Sequence, residues 1–139
     1  MIVFVFGNPD IAEDSLPFRL LPKLKELFPG IDFQVKDTNE DWDIPEEMIA
    51  IDAVAGLDRV AVFDNLSGFE NTPRLTLHDF DLGLYLKYLQ KLGRLKKIKI
   101  IGIPPTISEA AALRGVSALL TSQFSGSAPH SSYTGHRPG

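Results

Sequence analysis

A chain of 139 residues, 44% apolar and 23% charged, is expected to form one globular domain with a single core and no staples. Its formal net charge of -4 argues against nucleic acid as the main partner, because phosphate neutralisation needs a basic stripe. With no cysteine there are no disulfides, thiolate zinc sites or thiol nucleophiles, and no apolar run approaches the roughly 20 residues of a membrane span.

Ile2 to Phe6 is wholly apolar and β-branched or aromatic, which suits a strand buried on both faces of a parallel sheet. A chain that opens on such a strand, without the basic start and cleavage site of a signal peptide, is expected in the cytoplasm. Gly7-Asn8-Pro9 then turns the chain, Asp10, Glu13 and Asp14 follow, and an amphipathic run begins at Leu16. Strand, tight turn and helix start are the parts of a phosphate-cradling loop. Three carboxylates would repel a phosphate there, so the loop is better suited to a cation. Leu20, Leu21, Leu24, Leu27 and Phe28 recur at helical spacing until Pro29-Gly30, and Pro22 inside the run predicts a kink or a late start. Ile31 to Val35 alternates as a short strand. Asp37 to Asp41 is a polar loop, and a short helix is expected over Pro45 to Ile51, with Glu46 and Glu47 in its first turn.

Arg59 to Asp64 reads as another buried strand, ending on an acid, and Arg74 to Leu77 as an edge strand. From Asp79, the positions Leu82, Tyr85, Leu86, Leu89 and Leu92 follow a 3.6 period closed by Gly93. Lys97 to Ile103 is a strand ended by Pro104-Pro105, and Ser108 to Leu120 is a last helix. Strands alternating with helices predict an α/β three-layer sandwich, a mostly parallel doubly wound sheet flanked by helices, over residues 1–121. Residues 122–139 form a Ser/Gly/Pro/His tail with too few apolar groups to order itself; His130 and His136 lie within it. The basic run from Lys87 through Lys91 to Lys97 and Lys99 reads as a solvated helix face, a docking patch for an acidic partner being the alternative.

In a doubly wound sheet the carboxyl ends of the strands face one crevice, where ligands bind. Asp14 follows the first strand, Asp37 the second and Asp64 the third, while His78 opens a helix, so all four can converge there. Taken singly, Asp14 fits a helix cap, Asp37 and Asp64 fit turns, and His78 fits a cap neighbour. Two carboxylates and an imidazole suit a borderline divalent metal such as nickel or zinc, and three protein ligands leave positions open.

The order of these motifs resembles the endopeptidases that mature the large subunit of [NiFe] hydrogenases. That family has Gly-Asn after its first strand, then four residues, an acid pair and a helix, as in Gly7-Asn8, Glu13-Asp14 and the helix bearing Arg19. Its second metal-contacting acid ends a strand before a small residue, as in Phe63-Asp64-Asn65. Its histidine begins a helix, as in His78-Asp79-Phe80-Asp81-Leu82, and a later strand closes as Gly102-Ile103-Pro104. The match covers Met1 to about Leu120. The chain departs from the family at Val5, Ser15 and Pro17, where glycines are usual, and at Asp37-Thr38-Asn39-Glu40, where Asp-Gly-Gly-Thr is common.

The resemblance implies an aspartyl-type, metal-associated endopeptidase that removes a C-terminal extension from the hydrogenase large-subunit precursor after nickel insertion. Asp14, Asp64 and His78 would contact the nickel, which arrives with the substrate and which other divalent metals would replace; Asp37 would stand beside them. The precursor is the expected partner, and the protein is expected to be a monomer with no nucleic-acid or membrane partner. A phosphoacceptor receiver domain is the alternative. Against it, the acid pair begins seven residues beyond Phe6 rather than at the strand end, and no Lys precedes Pro104.

Overall fold

The computed structural model describes residues 2–7, 10, 15–36, 47–64, 83–93 and 97–123. Ile2–Val5 (β1) and Asp32–Val35 (β2) pair in parallel, with Val3 opposite Phe33 and Val5 opposite Val35. Between them runs α1, Leu16–Leu27, whose Leu16, Leu20 and Leu24 repeat at four-residue spacing and are all buried. Burying each such leucine contributes about 1.5–3 kcal/mol, and this apolar stripe, more than helix propensity, holds α1 on the sheet. Pro17 stands in its first turn, where no N–H is needed. The expected late start does not occur: the helix begins at Leu16 and continues past Pro22, which lies on its exposed side.

The segment expected as a short helix over 45–51 is instead the central strand β3, Glu47–Ala53. Acids in a first turn favour a helix by only about 0.3–1 kcal/mol. Against that, β3 pairs in parallel with β1 on one side, Phe4 opposite Ala50. On the other it pairs along its whole length with β5, Lys97–Ile103. Met48, Ala50, Ile51 and Ala53 are buried on its two faces, and a continuous apolar run is what a central parallel strand requires.

The remaining elements are β4, Ala61–Phe63, α2, Gly83–Lys91, and α3, Glu109–Gln123. The sheet order is β2-β1-β3-β5-β4, and β4 runs antiparallel to β5, with Ala61 opposite Gly102 and Phe63 opposite Ile100. This corrects the expectation of a buried strand over 59–64: β4 is short, half-buried and reversed. One face of the sheet, with Val3, Val5, Ile51 and Ile101, packs on α1 and on Ala112, Val116 and Leu120 of α3. The other, with Phe4, Phe6, Met48, Ala50 and Ile100, packs on Leu86 and Leu89 of α2.

The chain is therefore an α/β three-layer sandwich around a mostly parallel doubly wound sheet. Gly93 ends α2 at φ +70°, and the Ser108 hydroxyl opens α3 by accepting the Ala111 N–H at 3.1 Å. That helix continues past the expected Leu120 to Gln123, so the stretch read as a tail begins inside it. The rest of the tail and the strand expected over 74–77 lie outside the described residues. No described helix is long and apolar enough to cross a membrane.

Candidate functional site

From β1 the chain moves outward to β2 and then returns to β3 on the other side, so the strand order reverses between β1 and β3. Open α/β sheets bind ligands outside the carboxyl ends of the strands at such a point. The ladder reaches this rim intact, the Phe6 N–H donating to the Ile51 carbonyl at 2.9 Å. Gly7 then turns off at φ +146°, a conformation side chains with a Cβ rarely adopt.

Asp52 follows Ile51 at this point. It is 1% exposed and is the one fully buried polar or charged residue among those described. Its Oδ1 accepts the Ala53 N–H at 2.9 Å. Alternation along β3 puts it with Met48, Ala50 and Val54 on the α2 face. Taking a carboxylate out of water costs several kcal/mol, so one kept at the ligand end of the sheet is the candidate functional residue among those described.

Asp52 was missed in the sequence because residues 45–51 read as a helix, which left it in a loop. The signal was nevertheless present: Ile51-Asp52-Ala53 is an apolar run ending on an acid before a small residue, the same pattern that pointed to Asp64.

Asp64 lies elsewhere. Because β4 is antiparallel, its end is level with Lys99 near the amino end of β5, and Lys99 Nζ reaches Asp64 Oδ1 at 2.8 Å in an exposed ion pair. Asp52 is opposite Gly102, three steps further along β5 and two strands away from β4. At about 3.3 Å per residue and 4.8 Å per strand, the two backbones are roughly 14 Å apart. They also differ in face, since Asp64, two residues beyond Val62, shares the face of Val62, which packs toward α1 and α3. One ion bonded at about 2.0–2.2 Å does not join them. The expectation that Asp64 ends a parallel strand at the crevice is thus corrected, and the physical reason is the direction of β4.

Asp14, Asp37 and His78 lie outside the described residues. Among the described residues no three His, Cys, Asp or Glu side chains form a metal-holding group. On the α1/α3 face, Arg19 and Glu109 form a half-exposed ion pair of 3.7 Å between the first turns of the two helices.

A doubly wound sheet with an antiparallel edge strand and a buried acid at its switch point defines the architecture. The same fold is found in hydrogenase maturation endopeptidases. The hydrogenase maturating endopeptidase HybD from Escherichia coli superposes with a TM-score of 0.56 at 18% identity, over 88% of this chain and 93% of that one. The [NiFe] hydrogenase maturation protease HybD from Thermococcus kodakarensis gives 0.54 at 21% identity, over 88% and 96%. The hydrogenase 2 maturation peptidase from a Thaumarchaeota archaeon gives 0.56 at 21% identity, over 88% and 97%. No protein-family model and no curated protein matches the sequence.

Proposed function

We propose that this protein is an endopeptidase of [NiFe] hydrogenase maturation, removing a C-terminal extension from the nickel-loaded large-subunit precursor, as a cytoplasmic monomer. Asp52, a buried carboxylate at the switch point, carries this proposal. The fold shared with maturation peptidases supports the class. In this view Asp14, Asp52 and His78 contact the nickel that the substrate brings, Asp52 taking the part first expected of Asp64, with Asp37 beside them. Two carboxylates and an imidazole suit nickel or another borderline divalent ion. A metal so held polarises the scissile carbonyl or activates a water. A flavodoxin-like receiver sheet has the order 2-1-3-4-5; here β5 lies between β3 and β4, and β4 is reversed.

The test is cleavage of purified nickel-loaded precursor by the full-length protein. Asp52→Asn and His78→Ala should abolish cleavage without loss of fold, Asp64→Asn should cut at the parent rate, and precursor lacking nickel should stay intact. Normal cleavage by Asp52→Asn would remove that residue from the site. Phosphorylation of Asp52 by a small phosphodonor with magnesium, without any cleavage, would overturn the peptidase reading.

A further inference from the structure

The sheet order forces the chain across the crevice end. Residues 54–60 join β3 to β4, yet β5 lies between those strands in the sheet, so the connection has to cross β5. Because β4 is antiparallel and begins with Ala61 opposite Gly102, the crossing falls at the carboxyl end of β5, beside Asp52. Gly102 and Asp52 are partners in the parallel ladder and share the α2 face, with backbones about 4.8 Å apart. A Cβ at Gly102 would lie 2.8 Å from Cδ1 of Leu57 and 3.0 Å from Cγ2 of Val54. Leu57 therefore occupies the space next to Asp52 that a β5 side chain would otherwise fill, and glycine leaves room for it.

The crossing is pinned at its two ends and lightly held between them. At one end the Val54 N–H donates to the Ile103 carbonyl at 2.9 Å, and Val54 is fully buried. At the other, Val60 packs into the α1/α3 face. In between, Ala55, Gly56, Asp58 and Arg59 are exposed, Gly56 turns at φ +92°, and Leu57 alone is half-buried. A segment with one apolar anchor among exposed residues belongs to the low-stability end of a fold. Phe6 and Val54, the apolar neighbours of Asp52 in its row and on its strand, donate to the ladder through their N–H groups and lack this freedom.

Resting on the peptidase reading, we propose that residues 55–59 form a strap that Leu57 closes against Asp52, and that this strap lifts to admit the nickel-bearing end of the precursor. With the strap closed, Asp52 is 1% exposed and out of reach of a metal carried by another protein. Lifting it gives up one leucine contact at Gly102 and opens the carboxylate. The closed strap keeps free cations and water from Asp52 until a substrate makes enough contact to hold it open, and apparent affinity then scales with the open fraction.

The chain has no cysteine, so Asp52→Cys in the full-length protein places a single thiol under the strap. Its alkylation by iodoacetamide reports opening without metal or precursor. The rate should be flat in low urea, because lifting the strap exposes little surface. Adding Leu57→Ala should make it about tenfold faster and equally flat, as the open fraction grows. Gly102→Ala, whose Cβ displaces the leucine, should act in the same direction and add little to Leu57→Ala. With aspartate kept at 52, Leu57→Ala should lower KM for nickel-loaded precursor by a similar factor, with kcat within about twofold. A leucine that only packs would leave KM unchanged or raise it. Alkylation that follows the slope of global unfolding in urea, or is no faster in Leu57→Ala, or a KM that does not fall, overturns the strap and leaves the peptidase reading standing. A parent that cuts no precursor overturns the peptidase reading, and the alkylation rates still decide whether the strap opens.

Discussion

Gly115→Ala sets two known effects against each other on α3. In a helix interior, Ala is favoured over Gly by about 1 kcal/mol. At Gly115, however, a Cβ would lie 2.7 Å from both Cβ and Cγ2 of Val60, the residue just before β4. Carbon atoms in contact sit about 3.5–4.0 Å apart, so the approach is short by about 1 Å. Val60 Cβ is one bond from the backbone, and no χ1 rotation moves it away. Overpacking of this kind costs about 1–3 kcal/mol, and a clash with a stiff atom belongs in the upper half of that range. The net expectation is destabilisation by about 1–2 kcal/mol. At an unfolding entropy of about 2.1 cal/mol/K per residue over roughly 120 residues, Tm should fall by about 4–8 °C. Thermal and urea unfolding followed by circular dichroism measure this without any substrate. Repeating the change in Val60→Ala, which removes the Cγ contacts and keeps the Cβ contact, should reduce the penalty to about half. A Gly115→Ala protein as stable as the parent or more so would show that α3 does not seat this closely on the edge of the sheet.

Ser117→Ala should raise stability by about 0.5–1.5 kcal/mol, because the buried Ser117 hydroxyl has no hydrogen-bond partner among the described residues; a lower urea midpoint would refute this. Asp64→Asn should cost less than about 1 kcal/mol, since its pair with Lys99 is exposed, and the difference should shrink with salt. A loss above about 2 kcal/mol would give Asp64 a larger part than its position supports. Nickel, zinc or cadmium should stabilise the fold by mass action, by about 2.7 kcal/mol at a hundred times Kd, and so raise Tm. The shift should vanish in Asp52→Asn and persist in Asp64→Asn, and equal midpoints with and without saturating metal would count against a cation site in the parent.

Much of the fold is written in short-range pattern. The apolar run of β1, the four-residue repeat of Leu16, Leu20 and Leu24, the alternation of Lys97–Ile103 and the Ser108 cap each need only neighbours in sequence to be recognised, because each reflects a local period or a local hydrogen bond. The alternation of strands and helices then suffices for a doubly wound sheet. Tertiary structure decided what such patterns leave open. Met48-Ile49-Ala50-Ile51 is short enough to be helix or strand, and its two paired edges made it a strand. Ile51-Asp52-Ala53 and Phe63-Asp64-Asn65 both end an apolar run on an acid, and no local feature tells which strand runs toward the crevice. Strand direction and neighbour order are properties of the whole sheet. They bury Asp52 at the switch point, leave Asp64 with Lys99 at the opposite end, and seat Leu57 on Gly102 beside Asp52, although the linear sequence keeps that leucine and that glycine 45 residues apart.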